Sequence, residues 1–84
     1  MIEKVLEERG STHGSFEDNA YISQTIKMAI SRGKPMNDLP REALDMIALK
    51  ISRIASGKWE ERDHWLDIVG YATLVINFID SRKQ

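Results

Sequence analysis

Apolar residues recur at spacings of three and four over most of the chain and nowhere alternate with polar ones over the length of a strand. Ile2, Val5 and Leu6 open this pattern, and it stops at Gly10, a residue type suited to a helix C-terminus, so a short first helix is predicted up to that glycine. Gly10-Ser11-Thr12-His13-Gly14 is too rich in glycine and hydroxyl residues to continue it. Ser15-Phe16-Glu17-Asp18 then reads as a capping box that opens a second helix running to about Arg32, with Ile22, Ile26 and Ala29 inward. Gly33-Lys34-Pro35-Met36-Asn37 breaks the chain, and Asp38-Leu39-Pro40 supplies a capping acid and a first-turn proline for a third helix over roughly 39–56. After Gly57-Lys58 and a loop holding Trp59, a fourth helix is expected over about 61–80. The fold class is all-α, three to four amphipathic helices forming a bundle.

The last two helices each carry two faces. At 100° per residue, Leu44, Ile47, Ala48, Ile51, Ile54 and Ala55 share one stripe, as do Trp65, Ile68, Val69, Ala72, Val75, Ile76 and Ile79, and both read as core. Behind them lie mixed faces: Met46 and Leu49 among Glu42, Asp45 and Arg53 with Lys50 at the edge, and Asp63, Asp67, Gly70, Tyr71 and Leu74. Asp63 and Asp67, four apart, project from one face. Gly70 costs ~1 kcal/mol relative to alanine in a helix, which is explained by a close helix crossing or by the approach of a ligand.

Composition narrows the class. The 84 residues make a single domain, 1–84, and a domain this short buries only ~60% of the surface its unfolded chain exposes, so a partner copy is expected to complete the core. Met46, Leu49, Leu74 and Phe78 are the strip expected to meet it, in a homodimer or a multiple of one. With no cysteine there is neither a disulfide framework nor a thiolate zinc site. Twelve Lys+Arg against thirteen Asp+Glu leave a net charge of −1, which argues against duplex nucleic acid as a partner. No apolar run approaches the ~20 residues that span a bilayer, so no membrane is expected and a cytoplasmic location is.

Groups that suit phosphates and bases are present. The stretch from Gly10 to Ser15 running into a helix N-terminus offers backbone donors and a favourable dipole. Arg9, His13, Lys50 and Arg53 add positive charge, and Trp59, Trp65 and Tyr71 offer rings for stacking. Each has a plainer reading: Glu42, Asp45, Lys50 and Arg53 as a solvated face of intrahelical ion pairs, the two histidines as surface or capping groups, and the tryptophans as packing residues.

Three segments carry a resemblance: Arg9-Gly10-Ser11-Thr12-His13-Gly14-Ser15-Phe16-Glu17-Asp18-Asn19, the run from Glu42 to Ile54, and Asp63-His64-Trp65-Leu66-Asp67-Ile68-Val69-Gly70-Tyr71-Ala72. Together they resemble a family of small proteins common in phage and prophage genomes. More distantly the chain is similar to the MazG-like all-α nucleotide pyrophosphohydrolases, helical dimers that hold magnesium between acidic pairs on two helices. On that likeness Glu42 and Asp45 match the first acidic pair and Asp67 the last acid of the second. Arg41 stands where that superfamily has a doubled glutamate, and His64 where it has the glutamate three before the aspartate; Asp63 is the available substitute.

Three functions follow. The first is a phage-type nucleotide-binding protein that sequesters its ligand, such as a host immune signalling nucleotide, in the cytoplasm of an infected bacterium. Its site would comprise Arg9, His13, Lys50, Arg53, Trp59 and Tyr71 in a pocket of the helical oligomer, with no cofactor and no catalytic residue. The second is a magnesium-dependent pyrophosphohydrolase with Glu42, Asp45, Asp63 and Asp67 as metal ligands. The third is a non-catalytic helical interaction module.

Overall fold

A computed structural model describes residues 2–83, the side chains of Arg9 and Ser11 excepted. It is all-helical: α1 (Ile2–His13), α2 (Phe16–Ser31), α3 (Asp38–Ser56) and α4 (Arg62–Arg82), with no strand among the described residues. The expected start of α2 is reproduced in detail. Ser15 is its N-cap, with extended backbone, and its hydroxyl accepts from the Asp18 backbone N–H. At α3 the capping position falls to Asn37, without a side-chain cap bond, and Asp38 is the first helical residue.

The first helix departs from its predicted end. Gly10, Ser11 and Thr12 continue it, the Gly14 N–H donating to the Gly10 carbonyl at 3.0 Å. Gly14, at φ +82°, is the glycine that turns the chain. Intrahelical bonding thus outweighs the weak propensity of a single glycine, whose cost is only ~1 kcal/mol. Every described side chain from Ile2 to Gly10 is exposed, so α1 is an arm held at its C-terminal end.

Helix α3 is the central element, packed against both α2 and α4, which do not pack on each other. Its contact with α2 is made of small residues: Ala48 and Ser52 are fully buried, opposite buried Asn19 and Ser23. Side chains this small let two helices approach closely. The stripes expected as core are therefore only partly covered: Ala48 is buried within the expected stripe of α3. Leu44, Ile47 and Ile54 are half-buried, but Ala29, Ile51, Ala55, Trp65, Val69, Ile76 and Ile79 are exposed in the single chain. Helix α4 turns Ile68, Ala72 and Val75 of its expected stripe inward, together with His64, Tyr71 and Phe78.

On the helical wheel the α2-facing stripe of α3, centred on Ala48 and Ser52, and its α4-facing stripe, centred on Ala43 and Lys50, lie on nearly opposite sides. Two flanks remain. One, with Leu44, Ile51 and Ala55, adjoins Trp65, Val69 and Ile76 of α4 and is apolar. The other, with Glu42, Leu49 and Arg53, adjoins Asp67, Gly70 and Leu74 and is mixed. Met46, Leu49 and Phe78, expected to meet a partner, are half-buried within the chain, and only Leu74 of that strip is exposed. No described helix is long and apolar enough to cross a membrane.

Candidate functional site

The glycine-rich turn does not present an open phosphate cradle. Lys58 donates its backbone N–H to the Thr12 carbonyl at 3.1 Å, and a Cβ built on Gly14 would overlap the Ser56 carbonyl while one on Gly57 would overlap that of Thr12. The two glycines exist so that the α1–α2 turn and the α3–α4 loop can cross in backbone contact. Around the crossing, Asn19 Nδ2 donates to the carbonyls of His13 (2.6 Å) and Ser15 (2.8 Å), and the Ser56 hydroxyl contacts the His13 carbonyl at 3.2 Å. The Ser52 hydroxyl donates to the Leu49 carbonyl at 2.6 Å and lies 3.1 Å from Asn19 Oδ1. Nδ1 of His13 is 3.2 Å from Nε2 of His64, which is only 3% exposed. His13 is thus a structural tether between α1 and α4.

The mixed flank is where charge and apolar surface meet. Nζ of Lys50 lies 2.8 Å from Oδ2 of Asp67, joining α3 to α4. The hydrogen bond from Lys50 lowers the Asp67 pKa; desolvation opposes it, and the charges of Lys50, His64 and Arg53 add to the lowering. Arg53 is half-buried one turn along α3 from Lys50. Asp45 faces away from this cluster: its Oδ1 is 3.1 Å from Nε of Arg41, whose guanidinium also reaches Ser31 and the Lys27 carbonyl of α2.

Two hollows open on this flank and share Tyr71 and Leu74. One, about 270 Å³, is also lined by Leu39, Glu42 and Ala43; the other, about 360 Å³, by Leu66, Asp67 and Gly70. Gly70 has open space where a Cβ would stand, so no helix crosses there and its place is on the floor of the second hollow. A larger hollow of about 580 Å³ beside Ile2, Lys4, Val5 and Glu8 is the open side of the α1 arm and has no facing element among its walls.

The predicted ligand residues are therefore divided. Lys50, Arg53 and Tyr71 belong to the mixed flank, with Glu42 and Asp67. His13 is committed to the crossing, and Trp59 stands exposed in the α3–α4 loop, its carbonyl accepting from Trp65 Nε1 at 2.8 Å. Tyr71 lies nine residues, about 13 Å, along α4 from its first residue. The Arg9 side chain lies outside the described residues. Among the described residues no three His, Asp or Glu are gathered to hold a metal ion, and of the four acids named for magnesium Asp45 is turned to Arg41 while Asp67 pairs with Lys50. The polar residues that sequence reasoning missed are Asn19, Ser52 and Ser56; the signal for the last two was their position with Ala48 at intervals of four on α3.

No curated protein and no solved structure matches the chain. A family model described as "Domain of unknown function (DUF6378)" matches residues 2–79, from the α1 arm through the last apolar position of α4. With nearly the whole chain inside that match, the protein belongs to the DUF6378 family.

Proposed function

We propose that this chain binds a nucleotide on the mixed flank of α3 and α4 and retains it without cleavage. The observation that carries this reading is Tyr71, half-buried at the junction of two hollows, with Glu42 on one side, Asp67 on the other, and Lys50 and Arg53 on the facing helix. The ring supplies a stacking surface, the carboxylates accept from the N–H edge of a base, and Arg53 offers a planar fork to a phosphate. Lys50 is balanced by Asp67, so Arg53 is the better phosphate partner. What favours retention over turnover is that Asp45 is tied to Arg41 and Asp67 to Lys50, two of the four acids that metal-assisted displacement would use. Holding an intact nucleotide is also how a protein of phage resemblance would deplete a host signalling nucleotide.

Calorimetric titration with nucleoside mono-, di- and triphosphates and cyclic nucleotides, in the presence of a chelator, tests this. Tyr71→Ala should weaken binding about tenfold, in line with ~1–3 kcal/mol per stacked base. The extracted ligand should be chromatographically intact. Absence of binding across the panel overturns the reading, and cleaved product replaces it with hydrolysis.

A further inference from the structure

We infer that a second copy of this chain seats on the apolar flank of α3 and α4, face to face and opposite the mixed flank. The flank is formed by Ile51, Ala55, Trp65, Val69, Ile76 and Ile79, all exposed in the single chain, Val69 by 60% and Ile76 by 56%. The centre of the stripe contains no charged residue, and Arg62 and Asp80 stand at its two ends on α4. That composition offers nothing to a nucleic acid or an acidic peptide and suits an equally apolar surface.

The area left open matches what a permanent dimer covers. A compact monomer of 9.6 kDa exposes about 5,100 Å² by the usual scaling, whereas this chain exposes 6554 Å². The excess, roughly 1,500 Å² per chain, is shared between this flank and the exposed α1 arm, and falls within the ~1,000–2,500 Å² that each partner of an obligate interface contributes. The radius of gyration, 14.8 Å against about 12 Å expected for a domain of this length, reflects the 50 Å long axis of the molecule.

The inside of the chain says why the occupant is another copy. Ala43 and Ala48 are the apolar residues fully buried among those described, too little to hold a fold together. The missing core has to be supplied whenever the chain is folded, and a copy of the same chain is present in equal amount by necessity. A two-fold arrangement lets one flank serve both subunits. It also displaces the contact from the strip around Met46 and Leu49, and leaves the Tyr71 hollows facing away from the seam.

Light scattering at micromolar concentration, without nucleotide, should give twice the 9.6 kDa chain mass or a multiple of two. A mass of one chain overturns the inference. Because the chain has no cysteine, single cysteines report the seam directly. Ile51→Cys or Val69→Cys should cross-link with a short bis-maleimide, while Leu74→Cys, about as exposed as Val69 but on the mixed flank, should not. Cross-linking through Leu74→Cys with the other two silent overturns the placement. Val69→Asp should give a folded single-chain species, or an unfolded chain by circular dichroism where folding requires the partner; an unchanged assembly refutes the seam. The inference does not rest on the nucleotide reading, which fails or survives by titration.

Discussion

The ammonium of Lys50 sits 2.8 Å from Oδ2 of Asp67, and this bond holds the Asp67 carboxyl below the ordinary carboxylate value of 3.8. A carboxyl depressed by folding contributes stability at pH values above its unfolded pKa and loses it as pH falls through the folded one. The contribution of the pair is therefore full above the ordinary carboxylate range and fades as pH falls through the depressed value. Asp67 is solvent-exposed, so the effect is small. Denaturation midpoints of the wild type and Asp67→Asn should differ slightly at pH 7 and converge once acid has protonated the carboxyl; a gap that persists there would show that Asp67 acts through something other than its charge.

Glycine positions give the sharpest contrast in stability. Gly14→Ala places a side chain at φ +82° against the Ser56 carbonyl, and Gly57→Ala meets the Thr12 carbonyl. Each should cost on the order of 3 kcal/mol or more, since the neighbours are backbone and cannot rotate away. Gly70→Ala, with open space around it, should instead stabilise by ~0.5–1 kcal/mol through helix propensity. Urea unfolding of the three variants checks the order.

Arg53→Ala should weaken nucleotide affinity roughly tenfold or more while helical content stays intact, because a charge-assisted bond to phosphate is worth ~1.5–3 kcal/mol. Arg53→Lys should recover only part of the loss, as lysine keeps the charge and lacks the planar fork. Equal affinity in all three proteins, measured calorimetrically, removes Arg53 from the site.

His64→Ala removes the partner of His13 Nδ1 from a buried position, so it should destabilise by roughly 1–3 kcal/mol. Hydrogen exchange should speed up in α1 ahead of α3, since the lost bond is one of those that tie the arm down. Uniform acceleration across all helices would mean that the pair supports the whole bundle.

The helices and the cap of α2 were legible because local chemistry fixes them, Ser15 capping α2 as its spacing to Asp18 predicts, whereas the end of α1 and the capping residue of α3 were not. The apolar stripes were legible as stripes, but not what covers them. Periodicity shows that Ile51 and Val69 belong to apolar faces, while burial depends on which neighbour arrives. Here Ala48 and Ser52 draw α2 to the adjoining side of α3. His13 and Gly14 looked like parts of a loop available to a ligand. Their real partners, His64 and Ser56, lie 51 and 42 residues away, a pairing that no local pattern encodes.

The crossing at Gly14 and Gly57 also sets the order in which the chain folds. The α2–α3 and α3–α4 hairpins close between sequence neighbours and form quickly, as local helical contacts do. The bond from Ser56 to the His13 carbonyl, spanning 43 residues, forms only once both hairpins have brought their ends together. Its closure entropy grows slowly with length, ~0.6 kcal/mol per doubling, so residues inserted in the 32–37 connection would slow folding little. A bulkier residue at either glycine would block the last step itself, leaving hairpins formed and the α1 arm undocked.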